Sequence, residues 1–377
     1  MKIERIVVTE VMIPAHPGVV NSASLDRPLH KLPIAGQPGW TVQFDDIPKI
    51  ILQMRLDNGV VALGECYRGH DWNTVSSIAD LLVGRSLDQL NRQALPIALC
   101  REYDGFECAI WDGFAKSHDL RVVDLLGGPV RDRILVGAWS GHRVVEEVGP
   151  LARRFADQGY TCIKFKCDLD DDVAAWCREI DRAAPGMKVI LDPNERWERP
   201  YEVRRRIDQL APIGNLLCLE DPIPRWMIGE YAELKRYSSV PIVLHISLPY
   251  ILHGQRVQDA IVALRHEAVD GFNFNTGIAK FQQLDQIAYA AGLPCWHGSE
   301  VDLGILEAMY VHSCAAAQSC TWPSDIFGRM IRSHDLLETP LRFEPPYVDL
   351  PSGPGLGVTL DEDALKRYQT QQRVFPS

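Results

Sequence analysis

The sequence predicts an α/β protein, a (β/α)8-type barrel joined to an α+β capping domain, and three observations carry that prediction. Short apolar strands recur eight times from Arg133 onward. Amphipathic helical segments separate them. Most of the strands end in a polar or ionisable residue, as the mouth of a barrel requires. The chain has 377 residues, too many for one ordinary core and enough for a barrel of ~250 residues plus a cap.

The capping domain is expected over residues 1–125. IERIVVTEV and KIILQMRLD alternate like strands, and NGVVALGEC continues as a hairpin through Asp57, Asn58 and Gly59, where Asn-Gly suits a tight turn. Between the first two strands, residues 14–46 form a Pro- and Gly-bearing connection. A loop of that length in a compact domain is usually a lid or a binding loop. SSIADLLVGR, DQLNRQALPIALC and GFECAIWDGFAKSH then carry helical spacing.

The barrel is expected over residues 126–344. Its strands read RILVGAWS, CIKFK, KVILD, LLCLED, PIVLH, GFNFN, PCWHG and CTWPSD, and their ends recur every ~23–30 residues, the span of one strand-helix unit. Segments such as VGPLARRFADQGY and KFQQLDQIAYAAG supply the helices. An open doubly wound sheet would instead show a Gly-rich phosphate loop after its first strand, and the sequence has none. Residues 345–377, with DLPSGPGLGV and DEDALKRY, read as an extended return to the capping domain.

Composition narrows the function. Hydrophobic residues make up 46% and charged residues 24%, a soluble globular balance. No apolar run approaches the ~18 residues of a membrane span. The alternating start does not look like a signal peptide, so a cytoplasmic location is expected. A net charge of −11 without a basic cluster argues against nucleic acid and anionic membranes as partners. It leaves an acidic small molecule to be drawn in by local cations or a metal. The ten cysteines contain no C-x-x-C pair and read as small core residues of a reducing compartment.

Side chains at the C-terminal strand ends of a barrel share one mouth. Here they are Lys164, Lys166, Asp192, Asn194, Glu220, Asp221, His245, Asn273, Asn275, His297 and Asp325. Lys164 and Lys166 flank Phe165, so alternation puts both ammonium groups on one face. Facing inward they would repel and be partly desolvated, lowering the pKa and making an amine available as a base. Facing outward they would deliver nothing to the mouth. Asp192 and Glu220 end successive strands, and two converging carboxylates need a cation between them. A divalent metal is the economical choice, with His245 as third ligand; carboxylates bridged to a neighbouring helix are the bland alternative. His297 ends the seventh strand, across from the second, and is expected as a second acid or base.

These residues resemble the enolase superfamily in its mandelate racemase and muconate-lactonizing branches, over nearly the whole chain. GVVALGE is similar to that family's G-x-x-G-x-GE hairpin, and AIWDGFAKSHDLRVVDLLGG to its helix and turn before the barrel. The lysine pair in CIKFK, the aspartate in LDPNERW, the glutamate in LEDP and the ending DIFGRMIRSHDL with PSGPGLGV resemble it in order. The resemblance implies a modified TIM barrel capped by both termini, an essential Mg2+ and a homo-oligomer. It implies Asp192 and Glu220 as metal ligands, Lys166 as base, Lys164 as holder of the substrate carboxylate, and Asn194 and Asp325 as substrate contacts. Two positions depart from it. His245 stands where the third ligand is normally an acid, which opens the site to Mn2+ or another transition ion. Asn275 stands, as a substrate contact, where a lysine or aspartate is usual.

The expected reaction is removal of the proton beside a carboxylate, as dehydration of a sugar acid to a 2-keto-3-deoxy acid with His297 protonating the departing hydroxyl. The alternatives are a racemase, epimerase or lactone cycloisomerase, or a degenerate barrel that only binds an acid. Arg27, His30, Lys31, Tyr67, Arg68 and His70 are the polar candidates for contacts from the cap.

Overall fold

The computed structural model describes residues 1–25, 47–249 and 255–376. Three strands open the chain: β1 (Ile3–Met12), β2 (Pro48–Leu56) and β3 (Val61–Cys66). Gly59, at φ 86°, turns the β2–β3 hairpin where Asn58 Oδ1 accepts from the Val60 amide. Helix α1 (Trp72–Leu82) follows, then α2 (Tyr103–Ser117). Backbones of β3 and α2 nearly touch: a methyl on Gly64 would lie 2.3 Å from the Gly105 carbonyl oxygen. Only glycine allows that approach.

Two short strands lead into the barrel, β4 (Arg133–Leu135) and β5 (Ala138–Ser140). Six more build its parallel sheet: β6 (Cys162–Lys166), β7 (Lys188–Asp192), β8 (Leu216–Glu220), β9 (Ile242–Ser247), β10 (Gly271–Asn275) and β11 (Cys295–His297). β5 through β11 pair in sequence order as one seven-stranded sheet. The expected first strand is split, because β4 leaves to pair with β13 (Tyr347–Asp349), itself paired to β12 (Phe343–Glu344). The expected eighth strand, CTWPSD, is reduced to isolated parallel bridges, Cys295 to Cys320 and Val136 to Ser324. The sheet therefore curls closed through single bridges rather than a full strand. The last strand, β14 (Gln369–Phe375), returns to pair antiparallel with β1.

Alternation sorts the barrel strands. Ile163, Phe165, Phe272 and Phe274 face the helices and join the main core. Cys162, Ile190, Cys218, Val243 and Trp296 form a separate apolar cluster inside, a floor beneath the polar residues of the mouth.

Cap and barrel are held by a buried charge cluster that the sequence reading did not identify. Lys49 on β2, 2% exposed, lies 2.9 Å from Glu65 on β3 and 2.6 Å from Asp302 after β11. Glu65, the glutamate of the GVVALGE hairpin, also accepts from the amides of Leu303 and Leu306 at 2.8 and 3.0 Å. It thereby satisfies the open N-terminus of helix Gly304–Ala316.

Candidate active site

Lys164 and Lys166 both point into the barrel, as period-two alternation requires. Lys164 is 3% exposed. Its Nζ lies 3.1 Å from Asp192, 2.6 Å from Glu220 and 2.9 Å from Asp325. Asp325 accepts a hydrogen bond from this ammonium, and Asp192 and Glu220 are paired to it as ions. Burial opposes the charge, but Asp325, Glu220 and Asp192 outweigh it and hold the Lys164 pKa well above the ordinary lysine value. The expected lowering by a neighbouring lysine is thus reversed, because the closest groups are anions. Surrounded by three carboxylates, Lys164 is not placed to grip a substrate carboxylate directly.

Lys166 pairs with the other side of the cluster. It contacts Asp192 and donates to Asn194 Oδ1 at 2.8 Å. Asn194 itself donates its amide to Asp192 Oδ1 at 3.0 Å, from a left-handed backbone at φ 45°, a conformation in which Asn is among the better tolerated residues. Burial works against the Asp192 anion, yet Lys166 and Lys164 depress its pKa far below the usual carboxylate range. Glu220 is pushed up to about 8 by burial and by Asp192, against the pull of Lys164. Asn273 Nδ2 donates to Glu220 Oε1 at 2.7 Å. The sequence placed Asn273 at the mouth without a role. The structure makes it the partner that orients Glu220.

His245 stands 3.4 Å from Glu220 through Nδ1, and neither ring nitrogen makes a hydrogen bond within the described residues. Burial, with Arg225 and Lys164 nearby, holds its pKa well below the ordinary value, so the ring is neutral. Ser247 Oγ, Asn273 Oδ1 and both amide atoms of Asn275 are likewise buried and unpartnered. β9 and β10 pair His245 with Asn273 and Ser247 with Asn275, so these four line one wall. Ser247 was missed, although its spacing of two from His245 was the available signal. Gly298 keeps that wall open: a methyl there would sit 2.5 Å from Asn273 Oδ1 and 3.1 Å from His245 Nε2.

His297 requires correction. β10 and β11 pair Asn273 with Trp296 and Phe274 with His297, so the bulky indole takes the interior and alternation turns the imidazole toward the helices. The ring is fully buried between Tyr310 and Phe281, with centroids 3.9 and 4.5 Å away. Its nitrogens lie 2.7 Å from the Gly298 carbonyl and 3.2 Å from that of Thr276. It does not reach the mouth. Asp221 also turns aside, toward Arg225 at 2.6 Å and the His245 amide at 2.8 Å. Asp325 is one of the carboxylates on Lys164 and accepts at 3.4 Å from Trp296 Nε1.

Of the cap residues, Arg27, His30 and Lys31 lie outside the described residues. Tyr67 is fully buried in the core shared with the barrel. Arg68 lies 3.2 Å from Glu300 of the barrel, which Arg101 also meets at 2.6 Å. His70 contacts Glu10 at 2.9 Å, within the cap.

A capped barrel with lysines and carboxylates at its mouth places the protein among the capped α/β barrels, and its relatives lie there too. Residues 147–364, more than half of the chain, match the family model described as Enolase C-terminal domain-like. The chain belongs to this family, within the mandelate racemase and muconate-lactonizing part of the enolase superfamily. It is 28% identical to muconate cycloisomerase 1 of Rhodococcus opacus, covering 82% of this chain and 86% of that protein. It is 23% identical to o-succinylbenzoate synthase of Bacillus subtilis over 72% of this chain and 71% of the other. The structure of N-succinyl Arg/Lys racemase from Bacillus cereus superposes with a TM-score of 0.83 at 19% identity, covering 99% of this chain and all of that one. These relatives favour the isomerase alternative over the dehydration of a sugar acid. No helix among the described residues is long and apolar enough to cross a membrane.

Enzymes of this family generally use a divalent metal. The donor chemistry of Asp192, Glu220 and His245 is compatible with one. The arrangement is not: Asp192, Glu220 and Asp325 close on the Lys164 ammonium, and among the described residues no group of three His, Cys, Asp or Glu side chains is disposed to hold a metal ion. The residues as arranged do not fit a metal.

Proposed function

We propose that the protein is a cycloisomerase-type enzyme in which Lys166 moves the proton beside a substrate carboxylate on one face only. The observation that supports this reading is the asymmetry of the mouth. One side presents Lys166, held by Asp192 and Asn194. The facing wall carries a hydroxyl, two amides and an imidazole whose protonated form burial disfavours, which makes it a poor proton carrier. A two-base racemase needs a proton carrier on each face of the reacting carbon, and His297, expected there, is turned outward. Dehydration loses its acid for the same reason.

In this reading, one carboxylate oxygen of an unsaturated diacid adds to the carbon–carbon double bond, the displaced π pair moves to the carbon beside the other carboxylate, and Lys166 as an ammonium delivers a proton from Nζ to that carbon. In the reverse direction its neutral amine removes that proton. Asn194 and Asp192 fix the amine. The cycloisomerase names of the relatives support the same choice.

The test is incubation in deuterated buffer with a panel of unsaturated and acylated carboxylates that includes muconate and its lactone. The expected result is incorporation of one deuterium on one face, slowed by Lys166→Met by about 10²–10⁴-fold. Equal exchange from both enantiomers of a chiral product, or exchange indifferent to Lys166→Met, would refute the assignment.

A further inference from the structure

We propose that the ammonium of Lys164, in place of a divalent ion, is the resident cation of the Asp192–Glu220–Asp325 centre. Three carboxylates of separate strands and a loop converge on one Nζ at 2.6–3.1 Å. Two of the remaining oxygens have their own partners: Asp192 Oδ1 accepts from the Asn194 amide, and Glu220 Oε1 from Asn273. Beneath the cluster lies the apolar floor, with the Trp296 ring 5.8 Å from Nζ. A metal would therefore have to expel Lys164 from the point where the oxygens meet.

Charge balance supports this assignment. The centre gathers three carboxyl groups and two ammonium groups, so this chain itself brings two positive charges to its acids. His245 stands where the family resemblance leads one to expect a third acidic ligand, and a neutral ring there removes one more anion. With that carboxylate absent, two lysines nearly neutralise the site and leave little net negative charge to attract a dication. A buried ion cluster persists only when its charges are compensated and its lone pairs filled, and groups of this chain contribute to both at Asp192 and Glu220.

The experiment is a titration of the full-length, chelator-dialysed protein with Mn2+, followed by calorimetry and by thermal unfolding. It reads no turnover, so its outcome is independent of the reaction assigned to Lys166. The wild-type protein is expected to show no saturable Mn2+ binding below about 1 mM, the weak end of protein cation sites. Its melting temperature should be the same with chelator and with Mn2+. Lys164→Met frees the three carboxylates and should gain at least a roughly hundredfold increase in Mn2+ affinity, lost again when Asp192→Asn is added. Stoichiometric micromolar Mn2+ binding by the wild type, abolished by Glu220→Gln, overturns the proposal. So does a folded Lys164→Met protein that gains no affinity. Should that variant not fold, the wild-type titration decides alone.

Discussion

Replacing Lys49 by methionine tests the charge cluster that holds the cap over the barrel. Lys49 is 2% exposed, and its two carboxylate partners, Glu65 and Asp302, are fully buried. Methionine fills much of the same space but leaves two buried anions facing each other without a cation. Breaking a buried ion pair from one side costs about 3–5 kcal/mol. Unfolding entropy of about 2.1 cal/mol/K per residue over 377 residues gives roughly 0.8 kcal/mol/K, so the melting temperature should fall by about 4–6 °C. Scanning calorimetry at neutral pH measures it. The double variant Lys49→Met with Glu65→Gln should recover part of the loss, because only one stranded charge remains. A shift below about 1 °C, or a double variant worse than the sum of its parts, would show that the cluster does not join the two units as argued.

Two other perturbations bear on the same joint and on the mouth. On α2, burial pushes Asp104 up to about 7, and burial together with Asp104 pushes Glu107 up to about 8. Folded pKa values above the unfolded ones mean that the native state binds more protons in between. Their contribution is full below about pH 4 and is lost as pH rises through 7–8. Glu107→Gln should therefore flatten the fall of melting temperature between pH 5 and about 8, and equal slopes in wild type and variant would contradict it. Gly298→Ala should press on Asn273 Oδ1, 2.5 Å from the added methyl, and cost about 1–3 kcal/mol of stability. Unchanged denaturant midpoints would mean that the wall relaxes freely.

Much of the architecture was legible in one dimension because alternation and strand-helix recurrence are local properties. The lysines of β6 face inward because a residue between them faces out. Asp192, Glu220 and Asn194 converge because successive parallel strands end at the same mouth. The Asn58-Gly59 turn is local backbone chemistry. His297 escaped the same logic by one residue. PCWHG can present either Trp296 or His297 to the interior, and only the pairing with β10 makes the choice.

The sequence by itself determined which charged and polar residues stand at the strand ends, and through them the family and the kind of chemistry. It did not determine which charge meets which. Two carboxylates and a histidine on three successive strands suggested a metal, since a cation had to lie between the anions. Tertiary structure supplied the cation from β6, because Lys164 reaches across to Glu220 and Asp325 as well as to its neighbour Asp192. The Lys49 cluster was unreadable for a similar reason: its members are separated by up to 253 positions. Electrostatic partnership depends on distance in space and on burial, and strand pairing and domain docking set both only after the chain has closed.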